Sequence, residues 1–332
     1  MKSQTLKVDN CNGAISRLAL GTVQFGLPYG LSNRSGQPSY ETSRDILACA
    51  IDGGVTCLDT AASYGESEAV LGRALAELGV ASRVCVVTKG LALPNNLSPA
   101  RADSLVEESV INSLRKLRLE RLPFCFFHIE ENFQYADSLQ KLRDRGLVAE
   151  IGCSTTTPSG TQNVIASGLA DAVQFPASVL DRRFTSPAVA GDACTRGMKV
   201  FGRSVYLQGL LLLSDTSTPP DLSDVIPVRR HLADLSDAAG MSLGELALRY
   251  VIGLGDLTSI LIGVEAVGQM RENIAFAEKG PLPSDLMQEV IAVVPFLSPR
   301  ILDPRCWAKQ MLHTNKPGKV RDVGGIVDPA LF

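Results

Sequence analysis

Four residues with chemically active side chains stand close to the ends of short apolar segments. Asp59, Lys89 and His128 each follow a run of strand-like residues, and Tyr64 lies in the short connection after Asp59. Taken alone, each residue has an ordinary structural interpretation. Asp59 could cap a turn, Lys89 could be a solvated strand end, and His128 could be a core histidine. Tyr64 could be an aromatic residue at the rim. A turn needs only small polar residues, however, and connections between packed elements often carry function. The four residues therefore point to a common site.

The four side chains have complementary chemistry. The phenol of Tyr64 is a poor proton donor and acceptor at neutral pH, because its ordinary pKa is about 10. A neighbouring Lys89 ammonium would favour the phenolate and lower that pKa, and the Asp59 carboxylate would hold the lysine in place. His128 could hydrogen-bond a substrate carbonyl and orient it. Together they would protonate an alkoxide while a hydride arrives at carbon.

The elements that must position these residues are eight apolar runs of strand length, which alternate with longer segments of helical period. The runs are 18–26, 55–61, 83–90, 122–129, 148–155, 171–178, 199–205 and 257–264. Eight strand–helix units predict parallel strands with right-handed crossovers, closed into a (β/α)8 TIM barrel whose strands end at one mouth. An open doubly wound sheet is the alternative, and it lacks its glycine fingerprint.

The chain as a whole is predicted to be one domain over residues 1–332. Residues 281–299 have the pattern of an extra C-terminal amphipathic helix, and an irregular tail begins at about residue 308. The composition is that of an ordinary globular protein, with 45% hydrophobic and 20% charged residues and a formal net charge of -3. No basic run predicts a nucleic-acid partner, and no apolar segment predicts a membrane span or a signal peptide. We therefore expect a cytoplasmic protein.

Metal and thiol chemistry have little support in the sequence. There are only three histidines, without metal-ligand spacing, so no metal site is expected. The eight cysteines are scattered singly. Those in apolar strands, such as Cys85 and Cys125, are expected to be buried free thiols that pack as small hydrophobes.

The motifs together resemble the aldo-keto reductase family. LDTAASYGESEAVLGRAL resembles the family's signature around its catalytic aspartate and tyrosine, VVTKG its lysine segment and FFHIE its histidine segment. The resemblance extends from about residue 15 to about residue 280. It implies that Tyr64 is the general acid, that Asp59 and Lys89 tune it, and that His128 orients the carbonyl.

The resemblance also implies a nicotinamide cofactor, NADP(H) with NAD(H) as the alternative. The cofactor contacts that it implies lie at the strand ends and in the loops GRSVYLQGLLL and LIGVEAVGQMRENIAFA. They are Gly21, Thr22, Ser154, Thr155, Gln174, Arg203, Ser204, Leu207, Gly209, Gly263, Glu265, Gln269, Arg271, Glu272 and Asn273.

Three of these positions depart from the family pattern. Thr155 replaces the asparagine that helps to hold the nicotinamide carboxamide. Arg203 replaces an aromatic residue; we expect its planar guanidinium to pack on the nicotinamide, the alternative being that it points outward to a helix carboxylate. Glu265 stands where a cation often meets the 2′-phosphate, and Arg271 is the nearest cation. We therefore expect relaxed selectivity between NADPH and NADH.

The function that follows is the NAD(P)H-dependent reduction of an aldehyde or ketone, such as a sugar-like or other polar carbonyl compound, to an alcohol. Two alternatives remain. One is a barrel enzyme that uses the same four residues for internal redox of a sugar. The other, from a different class, is a non-catalytic cofactor-binding subunit that senses redox state. The partner expected is a small carbonyl substrate, and the sequence leaves the physiological substrate and the oligomeric state open.

Overall fold

A computed structural model of the chain describes residues 15–307, which form a closed barrel of eight parallel strands. The strands follow one another around the barrel in chain order, and β8 pairs with β1 to close it. They are β1 (Leu18–Gly21), β2 (Cys57–Asp59), β3 (Cys85–Lys89), β4 (Leu122–Phe127), β5 (Val148–Ser154), β6 (Ala172–Pro176), β7 (Lys199–Arg203) and β8 (Ser259–Gly263). The predicted (β/α)8 barrel is confirmed, and the open doubly wound sheet is excluded.

Helices surround the barrel. They are α1 (Val23–Gly26), α2 (Tyr40–Asp52), α3 (Ser67–Leu78), α4 (Pro99–Leu117), α5 (Ala136–Asp144), α6 (Pro158–Ser167), α7 (Asp192–Thr195), α8 (Val225–Ala238), α9 (Leu243–Ile252), α10 (Val267–Glu278), α11 (Ser284–Val293) and α12 (Pro299–Leu302). Short 3₁₀ turns at Glu130–Tyr135 and Leu207–Leu212 lie in the loops after β4 and β7.

Serine side chains begin several of the helices. Ser39, Ser98 and Ser242 each accept a hydrogen bond from the backbone N–H three residues later, which satisfies one of the free donors of the first turn. At the other end of α3, Gly79 adopts the left-handed conformation that a side chain would strain. The helix starts are therefore encoded locally.

The barrel interior is packed with side chains rather than open. Phe124, Phe126 and Phe201 meet edge to face, with ring centres 5.7 to 6.0 Å apart. The ring of Phe126 lies against Gly152, where a Cβ atom would come within 2.3 Å of it. Because this aromatic layer fills the barrel, ligands have access only from the mouth above it.

The extra C-terminal helix is present as α11, within the range predicted for it. The tail predicted from about residue 308 lies outside the described residues. None of the helices in residues 15–307 is long and apolar enough to cross a bilayer. The same range holds no cluster of histidine, cysteine and acidic side chains that could bind a metal ion.

The cysteines follow the prediction with one exception. Cys57, Cys125 and Cys153 are buried free thiols, and burial raises the pKa of Cys57 and Cys125 to about 12. Cys85, expected to be a free thiol, is instead disulfide-bonded. Its isolated position in the sequence gave no spacing signal for a pair.

Candidate active site

The buried centre of the site is an ion pair between the ends of two neighbouring strands. Asp59 is the last residue of β2 and Lys89 the last residue of β3. Lys89 Nζ lies 2.6 Å from Asp59 Oδ1, and the two side chains are only 1% and 5% exposed. Lys89 Nζ also donates to the carbonyl oxygen of Thr60 at 3.0 Å. Neighbouring parallel strands thus bring together two charges that are 30 residues apart in the chain.

Gln174 completes the coordination of the Asp59 carboxylate. Its Nε2 donates to Asp59 Oδ2 at 2.8 Å, so each carboxylate oxygen has a donor. Burial lowers the pKa of Lys89, and the charge of Asp59 and its hydrogen bond oppose this shift. A buried ion pair of this kind is tolerable only because both partners are hydrogen-bonded.

Tyr64 and His128 lie side by side above this pair. Their rings meet edge to face with centres 5.5 Å apart, and Lys89 Nζ lies 5.1 Å from the centre of the Tyr64 ring. The Ser63 hydroxyl lies 3.0 Å from His128 Nδ1, a contact that the sequence analysis did not identify. Because Ser63 holds the Nδ1 edge, Nε2 is the nitrogen of His128 that remains for a ligand.

The environment raises the pKa of the Tyr64 phenol. Burial is the main cause, the Asp59 carboxylate adds to it, and Arg203 acts in the opposite direction. The expected lowering of this pKa does not occur, because burial and the Asp59 carboxylate outweigh the positive charge of Arg203. Tyr64 is therefore protonated at neutral pH and can act as a proton donor.

His128 is neutral for related reasons. Burial lowers the pKa of its imidazole well below the ordinary value, and the positive charges of Lys89 and Arg203 lower it further. A neutral imidazole can donate or accept one hydrogen bond at Nε2, depending on its tautomer. Tyr64 and His128 thus present two uncharged polar groups at the same place.

One cleft of about 540 Å³ runs from these residues across the barrel mouth to α10. Three of the predicted catalytic residues line it, namely Asp59, Tyr64 and His128, while Lys89 lies buried beneath. Most of the predicted cofactor contacts also line it: Gly21, Thr22, Ser154, Gln174, Arg203, Ser204, Gly209, Gly263, Glu265, Gln269, Glu272 and Asn273.

Three predicted contacts do not line the cleft. The Thr155 hydroxyl is buried and lies 2.6 Å from that of Thr161, so it faces the protein rather than a ligand. The side chain of Leu207 is buried beneath its loop. Arg271 lies on the exposed face of α10, where helical periodicity turns it away from Gln269 and Glu272.

Arg203 lies in the mouth. Its Nη2 donates to the Thr155 carbonyl at 3.1 Å and its Nη1 to Ser204 Oγ at 3.3 Å, while its buried Nε has no partner among residues 15–307. No carboxylate of the described residues forms an ion pair with it. Its charge acts on Tyr64 and His128, so the outward orientation is excluded.

The residues of the cleft fit a nicotinamide dinucleotide. Gln174 Oε1 is buried and has no partner among the described residues, and it could accept from the N–H of a carboxamide. A Cβ atom at Gly263 would come within 2.8 Å of the Gln24 amide, so glycine leaves room for the Gln24 side chain in this wall. The cleft therefore presents a buried amide acceptor that a carboxamide could pair.

The far end of the cleft is held by hydrogen bonds within the loop before α10. Gln269 Oε1 accepts from the backbone N–H groups of Glu265 and Ala266 at 2.8 and 3.2 Å. Tyr206 donates to Asn273 Oδ1 at 2.5 Å, and Asn273 Nδ2 donates to the Gln269 carbonyl at 2.7 Å. The loop that should hold the adenosine is therefore ordered by its own side chains.

The polar residues of the cleft that sequence reasoning missed include Gln24, Tyr29 and Gln208. Gln24 is 8% exposed and its Oε1 has no partner among the described residues. Tyr29 and Gln208 lie in the loops after β1 and β7, which have no periodicity that could reveal an inward side chain. The only signal was that both are polar residues in loops at the barrel mouth.

Comparisons with known proteins agree on the family. Residues 17–294 match the sequence profile of the Aldo/keto reductase family. The aldo-keto reductase YhdN of Bacillus subtilis is 29% identical over 178 residues, which cover 50% of this chain and 51% of that protein. The NADH-specific methylglyoxal reductase of Escherichia coli is 26% identical over 79% of this chain and 89% of its own length. The solved holo form of an aldo-keto reductase from Bacillus halodurans superimposes with a TM-score of 0.73 at 19% identity, over 91% of this chain and 100% of that one.

Proposed function

The chain belongs to the aldo/keto reductase family and is an NAD(P)H-dependent oxidoreductase, and from this premise we propose that it reduces an aldehyde or ketone to an alcohol with Tyr64 as the general acid. The observation that carries the proposal is the geometry of the four side chains: the rings of Tyr64 and His128 meet edge to face, and Lys89, paired with Asp59, lies 5.1 Å from the centre of the Tyr64 ring.

In this proposal each residue has a stated task. His128 Nε2 hydrogen-bonds the carbonyl oxygen and orients it toward Tyr64. Tyr64 donates its proton to that oxygen, and the phenolate that remains lies near Lys89 and Arg203. The reduced nicotinamide, when bound, supplies the hydride that the carbonyl carbon accepts. Asp59 keeps Lys89 charged and in position.

The cofactor is held along the cleft. Gln174 Oε1 and Ser154 would hold the nicotinamide carboxamide, and Arg203 would pack against the ring. Ser204 and Gly209 would face the pyrophosphate, and the loop around Gln269 would enclose the adenosine.

The adenosine end favours a cofactor without a 2′-phosphate. Glu265 and Glu272 line this end, and Arg271 does not. A carboxylate repels a phosphate and can accept hydrogen bonds from ribose hydroxyls. The Escherichia coli relative, an NADH-specific enzyme, is consistent with this assignment. We infer that the protein uses NADH at least measurably.

The substrate proposed is a polar, sugar-like carbonyl compound. Besides Tyr64 and His128, the near end of the cleft presents the polar residues Tyr29, Gln208 and Arg305. An apolar substrate would leave the buried Oε1 of Gln208 without a partner among the described residues, which costs free energy.

A cofactor-oxidation assay tests the proposal. NADH or NADPH is mixed with the wild-type protein and an aldehyde, and the loss of absorbance of the reduced cofactor is followed. Tyr64→Phe should lower kcat by at least about a hundredfold, the scale of a lost general acid, while the cofactor still binds. If the wild type binds cofactor but turns over no carbonyl compound, the non-catalytic subunit replaces this proposal. A Tyr64→Phe variant with near wild-type turnover would contradict the role of the phenol.

A further inference from the structure

Gln208 leaves a buried hydrogen-bond acceptor beside the catalytic residues. The residue lines the cleft, and its side-chain Oε1 has no partner among residues 15–307. Buried acceptors are nearly always paired in folded proteins, because an unpaired one costs free energy. An unpaired acceptor in the wall of a cleft can bind a ligand that carries a hydrogen-bond donor.

The backbone of the loop fixes this side chain in place. Leu207 and Gln208 have φ values of 47° and 53°, and Gly209 follows with 85°. The Gln208 carbonyl accepts the N–H of Leu31 at 2.8 Å, and a Cβ atom at Gly209 would lie 2.0 Å from Ser32 Oγ. The left-handed conformation is therefore held by close packing against the loop after β1, and such strain is common at functional sites.

Tyr29 determines which end of the Gln208 amide faces a ligand. The side-chain hydrogen bond from Gln208 lowers the pKa of Tyr29, against the larger effect of burial. A hydrogen bond lowers the pKa of a phenol when its oxygen accepts, so the amide N–H is the donor. The amide therefore keeps Oε1, its acceptor, for another molecule.

The pair formed by Tyr29 and Gln208 is close to the reacting position. Tyr64 and Arg203 both act electrostatically on the Tyr29 phenol, and all four side chains line the same cleft. A carbonyl oxygen held by Tyr64 would thus place the adjacent carbon atoms of its substrate toward Gln208.

We propose that Gln208, positioned by Tyr29, determines substrate specificity by accepting a hydrogen bond from a hydroxyl group near the reacting carbonyl. The substrates would be hydroxyaldehydes, hydroxyketones or open-chain sugars rather than simple alkyl aldehydes. This inference rests on the proposed carbonyl reduction. A site built to pair a substrate hydroxyl discriminates strongly against an analogue that lacks it, because the buried group is then left unpaired.

A ribose hydroxyl of the cofactor has the same donor chemistry, so the experiment separates the two sources. We would measure kcat/KM for glyceraldehyde and propionaldehyde, which differ only in their hydroxyl groups, and the dissociation constants of NADH and NADPH. The proteins are the wild type, Gln208→Leu and the control Gln134→Leu. Gln134 is exposed on the turn after β4, outside the cleft, and donates a hydrogen bond to the Glu131 carbonyl.

The wild type and the Gln134→Leu control should prefer glyceraldehyde by at least about tenfold. Gln208→Leu should lose most of this preference by losing activity on glyceraldehyde, while its cofactor dissociation constants stay within about twofold of the wild type. Should Gln208→Leu fail to fold, Tyr29→Phe replaces it, because it removes the phenol oxygen that orients the amide. It should reduce the preference with the same cofactor affinity.

Three results would overturn the inference. The wild type could show no preference, or the folded variant could keep the preference of the wild type. Alternatively, Gln208→Leu could lose activity equally on both aldehydes and bind cofactor more weakly, which would assign the residue to a ribose hydroxyl. Failure of the proposed function itself is distinguishable, because the wild type would then reduce neither aldehyde, and both proposals would fall.

Discussion

Gln174 donates a hydrogen bond of 2.8 Å to Oδ2 of Asp59, the carboxylate whose other oxygen binds Lys89. The opposite end of the same amide, Oε1, is buried in the cleft and has no partner among the described residues. One side chain thus connects the ion pair of Asp59 and Lys89 with the place where the nicotinamide carboxamide is proposed to lie. Cofactor binding and the position of Asp59 are therefore expected to depend on each other.

This relationship predicts that Gln174→Met affects both stability and cofactor binding. Methionine has a similar size, but it cannot donate to Asp59 or accept from a carboxamide. The hydrogen bond to the charged Asp59 contributes about 1.5 to 3 kcal/mol, so the Tm should fall. The uncharged bond to the carboxamide contributes about 1 kcal/mol, so the dissociation constant for NADH should rise about fivefold. Fluorescence quenching and thermal unfolding measure the two effects. The control Gln162→Met, on the exposed side of α6, should change neither. An unchanged affinity in Gln174→Met would remove this residue from the cofactor site.

The raised pKa of Tyr64 predicts how the rates depend on pH. In the proposed mechanism reduction needs the protonated phenol, so its rate should stay constant until the pH approaches the raised pKa from below. It also needs neutral His128, whose pKa is lowered, so no protonation of the imidazole interferes near neutrality. Between about pH 6 and pH 9, in the interval between the ordinary pKa values of histidine and tyrosine, reduction should be nearly flat.

Oxidation of the alcohol has the opposite requirement. It needs the phenolate as base, so its rate should rise with pH across the same interval, by up to about tenfold per unit. Initial rates in both directions at several pH values test this. A reduction rate that falls steadily from pH 6 upward would mean that the pKa of the proton donor is lowered, as the sequence alone had led us to expect.

Burial explains why the sequence analysis predicted the wrong direction for Tyr64. The motifs place Lys89 near the phenol, and an ammonium beside a phenol favours the phenolate. The structure adds two facts that composition and spacing do not contain. The Tyr64 side chain is half-buried, and the Asp59 carboxylate acts on its phenol with a negative charge. Residue identities could be predicted here, whereas the net field at one atom could not.

A similar division applies to the rest of the site. The ends of neighbouring parallel strands must meet, so Asp59, Lys89 and His128 could be assigned to one mouth from order along the chain alone. The predictions for Thr155 and Arg271 were wrong because the direction in which one side chain points decides whether it faces the cleft, and the sequence does not give that direction. Tyr29 and Gln208 could not be predicted, because their positions depend on how two loops without periodicity pack on each other.

The acidic adenosine end predicts that Glu265→Arg changes cofactor preference. Glu265 lines the cleft, and its pKa is raised mainly by burial, so its carboxylate is partly removed from water. Replacing a repelling carboxylate with a guanidinium should tighten NADPH binding at least about tenfold and leave NADH binding similar or weaker. The control Glu278→Arg, on the exposed side of α10, carries the same charge change outside the cleft. Titration with NADH and NADPH measures the dissociation constants of the wild type and both variants.

A wild-type preference for NADPH above about a thousandfold, roughly 4 kcal/mol, would contradict the assignment of an acidic adenosine end.

The last prediction concerns the planar shape of Arg203, which we expect to matter as well as its charge. Its guanidinium is held by hydrogen bonds to the Thr155 carbonyl and Ser204 Oγ, and this leaves the plane fixed at the end of β7.

A fixed plane can pack against a nicotinamide ring, whereas a lysine would retain the charge and lose the plane. Arg203→Lys should therefore weaken cofactor binding by about 1 kcal/mol, within the range of cation–π contacts, and Arg203→Tyr should restore part of the loss by stacking. Fluorescence quenching gives the cofactor dissociation constants of the wild type and both variants. Equal affinities in all three proteins would show that Arg203 does not contact the cofactor. A different outcome is that Arg203→Lys binds cofactor as the wild type does and Arg203→Tyr binds it more weakly. The charge of Arg203 alone would then explain its contribution to binding, because only the variant without a cation has lost affinity.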